Sequence, residues 1–121
     1  MLAAALDDVD AEVRKSTAAA IVPLGDKLGD AGPKLTGMLK SDRDRELALA
    51  TLRQVRVRDL NLLKEVLTFP HPEAKIYACE AIGRMGKDGK EAASALEPLM
   101  KESNEEVYRA ARRAMRAIGA R

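Results

Sequence analysis

Three stretches of this chain are copies of one another: DAEVRKSTAAAIVPLG (residues 10–25), HPEAKIYACEAIGRMG (71–86) and NEEVYRAARRAMRAIG (104–119). They align without gaps, at offsets of 61 (10 to 71) and 33 (71 to 104) residues. Internal repetition at this period constrains the fold more than any single motif, because a short repeat buries its apolar face only against its neighbours. The shared apolar columns are Val13, Ala74 and Val107; Thr17, Ala78 and Ala111; Ala20, Ala81 and Ala114; Ile21, Ile82 and Met115; Leu24, Met85 and Ile118. Their spacing of i, i+4, i+7, i+8 and i+11 is one stripe of an α-helix. Asp10 and Asn104 are suited to cap the first orphan N–H groups, and His71 takes that column before Pro72, which fits a first helical turn. Glu12, Glu73 and Glu106 fall near the positive end of the helix dipole. Gly25, Gly86 and Gly119 supply the left-handed residue that ends many helices.

The longer offset leaves room for a fourth, degenerate copy. RELALATLRQV (residues 45–55) places Ala48, Thr51, Leu52 and Val55 in the columns of Thr17, Ala20, Ile21 and Leu24. A second helix is predicted after each of the first three copies, over 31–41, 59–69 and 92–102, with Pro98 kinking or splitting the last. VRVR (55–58) reads as a connector between helices. MLAAAL at the start matches the tail of such a second helix, Leu2 with Leu35 and Leu6 with Leu39. The expectation is an all-α domain over 1–121, with repeats at approximately 8–41, 42–69, 70–102 and 103–121. Three helical pairs and a terminal helix without a partner further predict a piece of a longer repeat protein, capable of end-to-end self-association.

Units of this length, with a capped, glutamate-bearing and alanine-rich first helix, resemble short HEAT-like repeats, in particular bacterial arrays of the phycobilisome-lyase type. The resemblance implies a right-handed α-α superhelix whose second helices line a concave face that often receives partners. On that basis Lys34, Lys40, Lys64, Glu65, Glu97 and Lys101 are candidate contacts for a protein or peptide. It also allows a bilin lyase or isomerase-like role, or nucleic-acid binding of the HEAT-like glycosylase kind.

Composition narrows these readings. A lone cysteine, Cys79, and a lone histidine, His71, exclude an internal disulfide and a Cys/His metal cluster. No phosphate loop, nucleophile elbow or zincin motif is present, so neither a catalytic constellation nor a cofactor is predicted. Cys79 lies beside the core stripe and reads as a small packed thiol; Tyr77 and Tyr108 read as covers for core edges. No apolar run approaches the ~20 residues of a membrane span, and a cytoplasmic protein is expected.

The net charge of +2 is unevenly spread: residues 103–121 carry five arginines and two glutamates, so the remainder sums to −1. Arg109, Arg112, Arg113 and Arg116, at i, i+3, i+4 and i+7, share one helix face opposite the apolar stripe. They are candidates for an acidic partner. A nucleic-acid track would extend over several repeats, whereas Arg112 and Arg113 correspond to Ala18 and Ala19 in one copy and to Cys79 and Glu80 in another. A second basic cluster, Arg53, Arg56 and Arg58, is interleaved with Asp59. The preferred reading is therefore a non-catalytic interaction or scaffolding module.

Overall fold

The computed structural model describes residues 10–22, 31–55 and 59–119. Its described residues form helices and no strand: α1 (Ala11–Ile21), α2 (Ala31–Met38), α3 (Arg45–Gln54), α4 (Leu60–Val66), α5 (Pro72–Arg84), α6 (Ala93–Leu96) and α7 (Glu105–Ala117). Two 3₁₀ segments, Gly86–Ala92 and Glu97–Lys101, flank α6. The expected first helices are α1, α3, α5 and α7; the expected second helices are α2, α4 and the composite around α6. Leu24, Gly25, Arg56, Arg58 and the opening MLAAAL lie outside the described residues. The chain divides into two compact units, Met1–Val57 and Arg58–Arg121.

The helix ends follow the side chains that the repeat places there. Asp10 Oδ1 accepts from the Glu12 amide at 2.9 Å, and Asn104 Oδ1 accepts from Glu106 and Val107 at 3.0 and 3.2 Å. Asp59 caps α4 through the Leu62 amide at 3.3 Å. His71 holds the extended cap conformation before Pro72 without a side-chain capping bond, so proline's preset φ begins that helix. Gly86 and Gly119 have φ of +58° and +81°, as the terminal glycine column requires. Pro98 removes an N–H and cannot continue an α-turn. Accordingly α6 stops at Leu96 and the chain tightens to 3₁₀ over Glu97–Lys101.

In the first unit, α3 packs against both α1 and α2. Ile21, Leu35, Leu39, Ala48 and Leu52 are fully enclosed. The first copy corrects the sequence pattern. Val13 is 37 % exposed and Ala20 is exposed, while Arg14, one residue off the stripe, is buried. Arg14 Nε lies 3.0 Å from Asp44 Oδ1 at the start of α3, and Asp44 also accepts from Arg43 Nη2 at 2.9 Å. The helix has turned this flank toward α3, which an ion pair allows and a period count does not foresee.

In the second unit, α5 packs against α4 and, most extensively, against α7. A Cβ on Gly83 would lie 3.6 Å from both Ala114 Cα and Ala117 Cβ, so the two helices approach closely through small residues. Ala74, Tyr77, Ala78, Cys79, Ala81 and Ile82 are buried on α5, and Val107, Ala110, Ala111, Ala114 and Met115 on α7. Met85 is only half-buried, whereas its column partner Ile118 is fully enclosed.

Candidate functional site

The second-helix layer of the Arg58–Arg121 unit contains a cleft of about 340 Å³ between the end of α4 and the chain broken by Pro98. Leu67, Ala95, Pro98 and Leu99 make its apolar wall; Lys64, Thr68, Lys75 and Glu102 supply its polar groups. Such a mixture, a mainly apolar floor with a few polar groups, is what a recognition cleft requires. Each element contributes for a local reason. Lys64 and Leu67 are three residues apart and share a face of the α4 end. Thr68 has its hydroxyl turned back to donate to the Glu65 carbonyl at 2.7 Å, which presents its methyl group outward from that bond. Pro98 has no N–H to offer the Ser94 carbonyl, so the α-helix breaks there and the chain tightens to 3₁₀, which sets Pro98 and Leu99 on the wall.

The charges are unequal in availability. Lys75, reaching from α5, is ion-paired with Glu102. Lys64 is half-buried and has no ion-pair partner among the described residues. The unbalanced charge of the cleft is therefore one ammonium group, held partly out of water.

Of the residues singled out in the sequence, Lys64 lines this cleft. Glu65, Glu97 and Lys101 are exposed on the same two elements, outside the lining. Lys34 and Lys40 are exposed in the other unit, on α2 and in the turn after it. The repeat alignment did not point to Thr68, Lys75, Pro98 or Glu102 as neighbours in one cleft. The column shared by Arg14 and Lys75 was the available signal: a cation there meets an acid, Asp44 or Glu102, at the approach to the following helix.

Arg109, Arg112, Arg113 and Arg116 are all exposed on α7, on the side opposite its buried alanines. Arg109 lies 3.8 Å from Glu105, and the Arg112 guanidinium sits over the Tyr108 ring, 5.5 Å from its centroid. Arg113 and Arg116 have no ion-pair partner among the described residues. Arg53 is exposed at the end of α3. Cys79 is 1 % exposed, and desolvation first, then the charge of Glu80, push its thiol up to about 12. A thiol so held has little thiolate and is a packing group. Among the described residues no group of three or more His, Cys, Asp or Glu could hold a metal ion, and no helix is long and apolar enough to cross a membrane.

Comparison with known proteins places this geometry in a family. The family model for HEAT repeats matches residues 45–116. No curated protein matches the sequence. Among solved structures, an engineered protein determined by a structural-genomics consortium superposes with a TM-score of 0.62 at 22% identity, over 97% of this chain and 60% of its own. A designed armadillo repeat protein in complex with the peptide (KR)4 gives a TM-score of 0.61 at 23% identity, over 98% of this chain and 63% of its own. A second engineered protein gives 0.57 at 21% identity, and this chain spans 37% of its length. The chain thus spans about 60% of the first two structures it resembles, and the shared fold is that of all-α helical-repeat solenoids. By the family match over residues 45–116, the chain belongs to the HEAT-repeat family.

Proposed function

We propose that this HEAT-repeat chain is a non-catalytic interaction module that holds a protein or peptide segment across its second-helix layer, seated in the cleft between α4 and Ala95–Glu102. The observation that carries the reading is the cleft itself, a preformed recess of about 340 Å³ at a break in the second helix. A surface formed before binding spares the partner much of the ordering cost. A designed armadillo repeat protein of similar fold was solved in complex with a peptide, which supports a peptide as the class of ligand. Apolar side chains of the segment would rest on Leu67, Pro98 and Leu99, and a carboxylate would meet Lys64. Glu65, Glu97 and Lys101 would contact the segment where it leaves the cleft, and Lys34 and Lys40 are the corresponding surface of the first unit.

Peptide display against the full chain tests the proposal. Selected peptides should carry an acidic residue beside an apolar one, and Lys64→Glu should weaken them by about tenfold, since it replaces an attraction with a repulsion at a partly desolvated site. Peptides that bind the wild type and the Lys64→Glu variant equally would place the interaction elsewhere.

A further inference from the structure

We infer that α7 carries a second, separate docking face, formed by Tyr108, Arg109, Arg112, Arg113 and Arg116, which receives an acidic protein segment on the flank where α5 receives α7. The assignment comes from comparing the same flank along the chain. Lys75, Cys79 and Gly83 of α5 recur 33 residues on as Tyr108, Arg112 and Arg116 of α7. On α5 that line is small and closed: Cys79 is buried, and a Cβ at Gly83 would already stand 3.6 Å from Ala114 Cα. On α7 the same line holds a half-buried ring and two exposed guanidiniums. A helix stacked there as α7 is stacked on α5 would strip water from two arginines without pairing them, which is strongly unfavourable.

A partner bringing carboxylates removes that penalty, and the chain already uses the arrangement twice. Arg14 of α1 meets Asp44 at the start of α3, and Lys75 of α5 meets Glu102 just before α7. Both cations belong to this flank, and both acids come from the segment that follows. On α7 the cation column has become Tyr108, and Arg112 is held over its ring at 5.5 Å. That contact limits the freedom of the guanidinium and presents it for bidentate pairing. Arg113 and Arg116 have no ion-pair partner among the described residues.

The spacing selects the occupant. Arg109 to Arg116 span about 10.5 Å along the axis, the rise of seven helical residues. A helix with glutamates at i, i+3, i+4 and i+7 repeats that interval. One nucleic-acid strand offers only about three phosphates over it. Glu105 and Glu106 border the stripe, and its equivalents on α1 and α5, Ala18 with Ala19 and Cys79 with Glu80, do not extend it.

Fluorescence anisotropy on the full chain provides the test, using a labelled helix-forming peptide with glutamates at i, i+3, i+4 and i+7 in low-salt buffer. Saturable binding is expected, weakened by about tenfold or more in Arg112→Glu/Arg116→Glu and held within about threefold in Arg112→Lys/Arg116→Lys. Lys64→Glu, which disables the proposed cleft, should leave this binding unchanged, so the two sites fail separately. Circular dichroism should show all variants folded, since Arg112 and Arg116 are exposed and Lys64 is half-buried at the cleft edge. The inference is overturned by no saturable binding to the wild type, by unchanged binding in the double glutamate variant, or by tighter binding of an oligonucleotide of equal charge. A wild-type dimer in sedimentation that these glutamate variants dissociate would also overturn it, by making a second copy the occupant.

Discussion

Replacing Gly89 by alanine puts one methyl group where the structure has no room. Gly89 is buried in the 3₁₀ segment after α5, and its Cβ would stand 2.9 Å from the Ile82 carbonyl oxygen, 3.0 Å from Ile118 Cγ2 and 3.2 Å from Ile82 Cγ2. Carbon atoms pack best at about 3.5–4.0 Å, so something must shift. The nearest atom is backbone, and that carbonyl accepts from the Met85 amide at 3.0 Å at the end of α5. The side-chain contact lies on Ile118, the C-cap of α7, so relief in that direction loosens the α5–α7 packing. Overpacking of this kind costs about 1–3 kcal/mol. At about 4 °C per kcal/mol for a chain of this size, the thermal midpoint by far-UV circular dichroism should fall by about 4–12 °C. Gly37→Ala is the matched control. That glycine is exposed within α2 and a Cβ on it meets nothing within 4 Å. Alanine there removes backbone freedom from the unfolded chain and should stabilise by about 0.5–1 kcal/mol. The same substitution thus has opposite signs at the two sites. A Gly89→Ala protein as stable as the wild type would refute the packing reasoning.

Asp44→Ala leaves Arg14 buried without its carboxylate and should cost about 3–5 kcal/mol in urea unfolding. The double variant Arg14→Met/Asp44→Ala should recover most of that loss; equal destabilisation of single and double variants would disprove the pairing. Gly86→Ala forces a side chain into φ of +58° with open space around it, so a purely conformational loss of about 1–2 kcal/mol is expected, and Gly86→Asn should lose less. Cys79 should resist Ellman's reagent until the chain is unfolded in urea. Its thiol is raised from 9.0 to about 12, so the folded state keeps a proton that the unfolded chain releases. The stability it supports is complete below pH 9 and declines above it, at up to about 1.4 kcal/mol per pH unit. Cys79→Ala, the residue found at this column in α1 as Ala18, should remove its share of that alkaline slope.

Much of the architecture was legible because it rests on local chemistry repeated in register. Apolar columns, capping Asp10 and Asn104, the left-handed Gly86 and Gly119, and the break at Pro98 act within a few residues of themselves. What the alignment misjudged depends on neighbours. Val13 and Ala20 stand exposed on α1, while their column partners Ala74 and Ala81 are buried on α5. Arg14 lies off the apolar stripe and is buried against Asp44, a partner too distant in the sequence for a helical period to reveal. The cleft gathers residues from α4, α5, α6 and the Pro98 segment, elements whose side chains no single periodicity relates. Lys64 was nameable from the fold's layer order; Thr68, Lys75 and Glu102 needed coordinates. The arginine stripe was fully visible as a stripe; the docking role proposed for it draws in addition on which flank of α5 faces α7.

The proposed seat of the partner is tested most directly by amide hydrogen exchange of the full chain with and without a display-selected peptide. The account predicts added protection in 64–68 and 95–102, absent in Lys64→Glu at the same peptide concentration. Protection confined to α1–α3, or spread evenly over all helices, would contradict it.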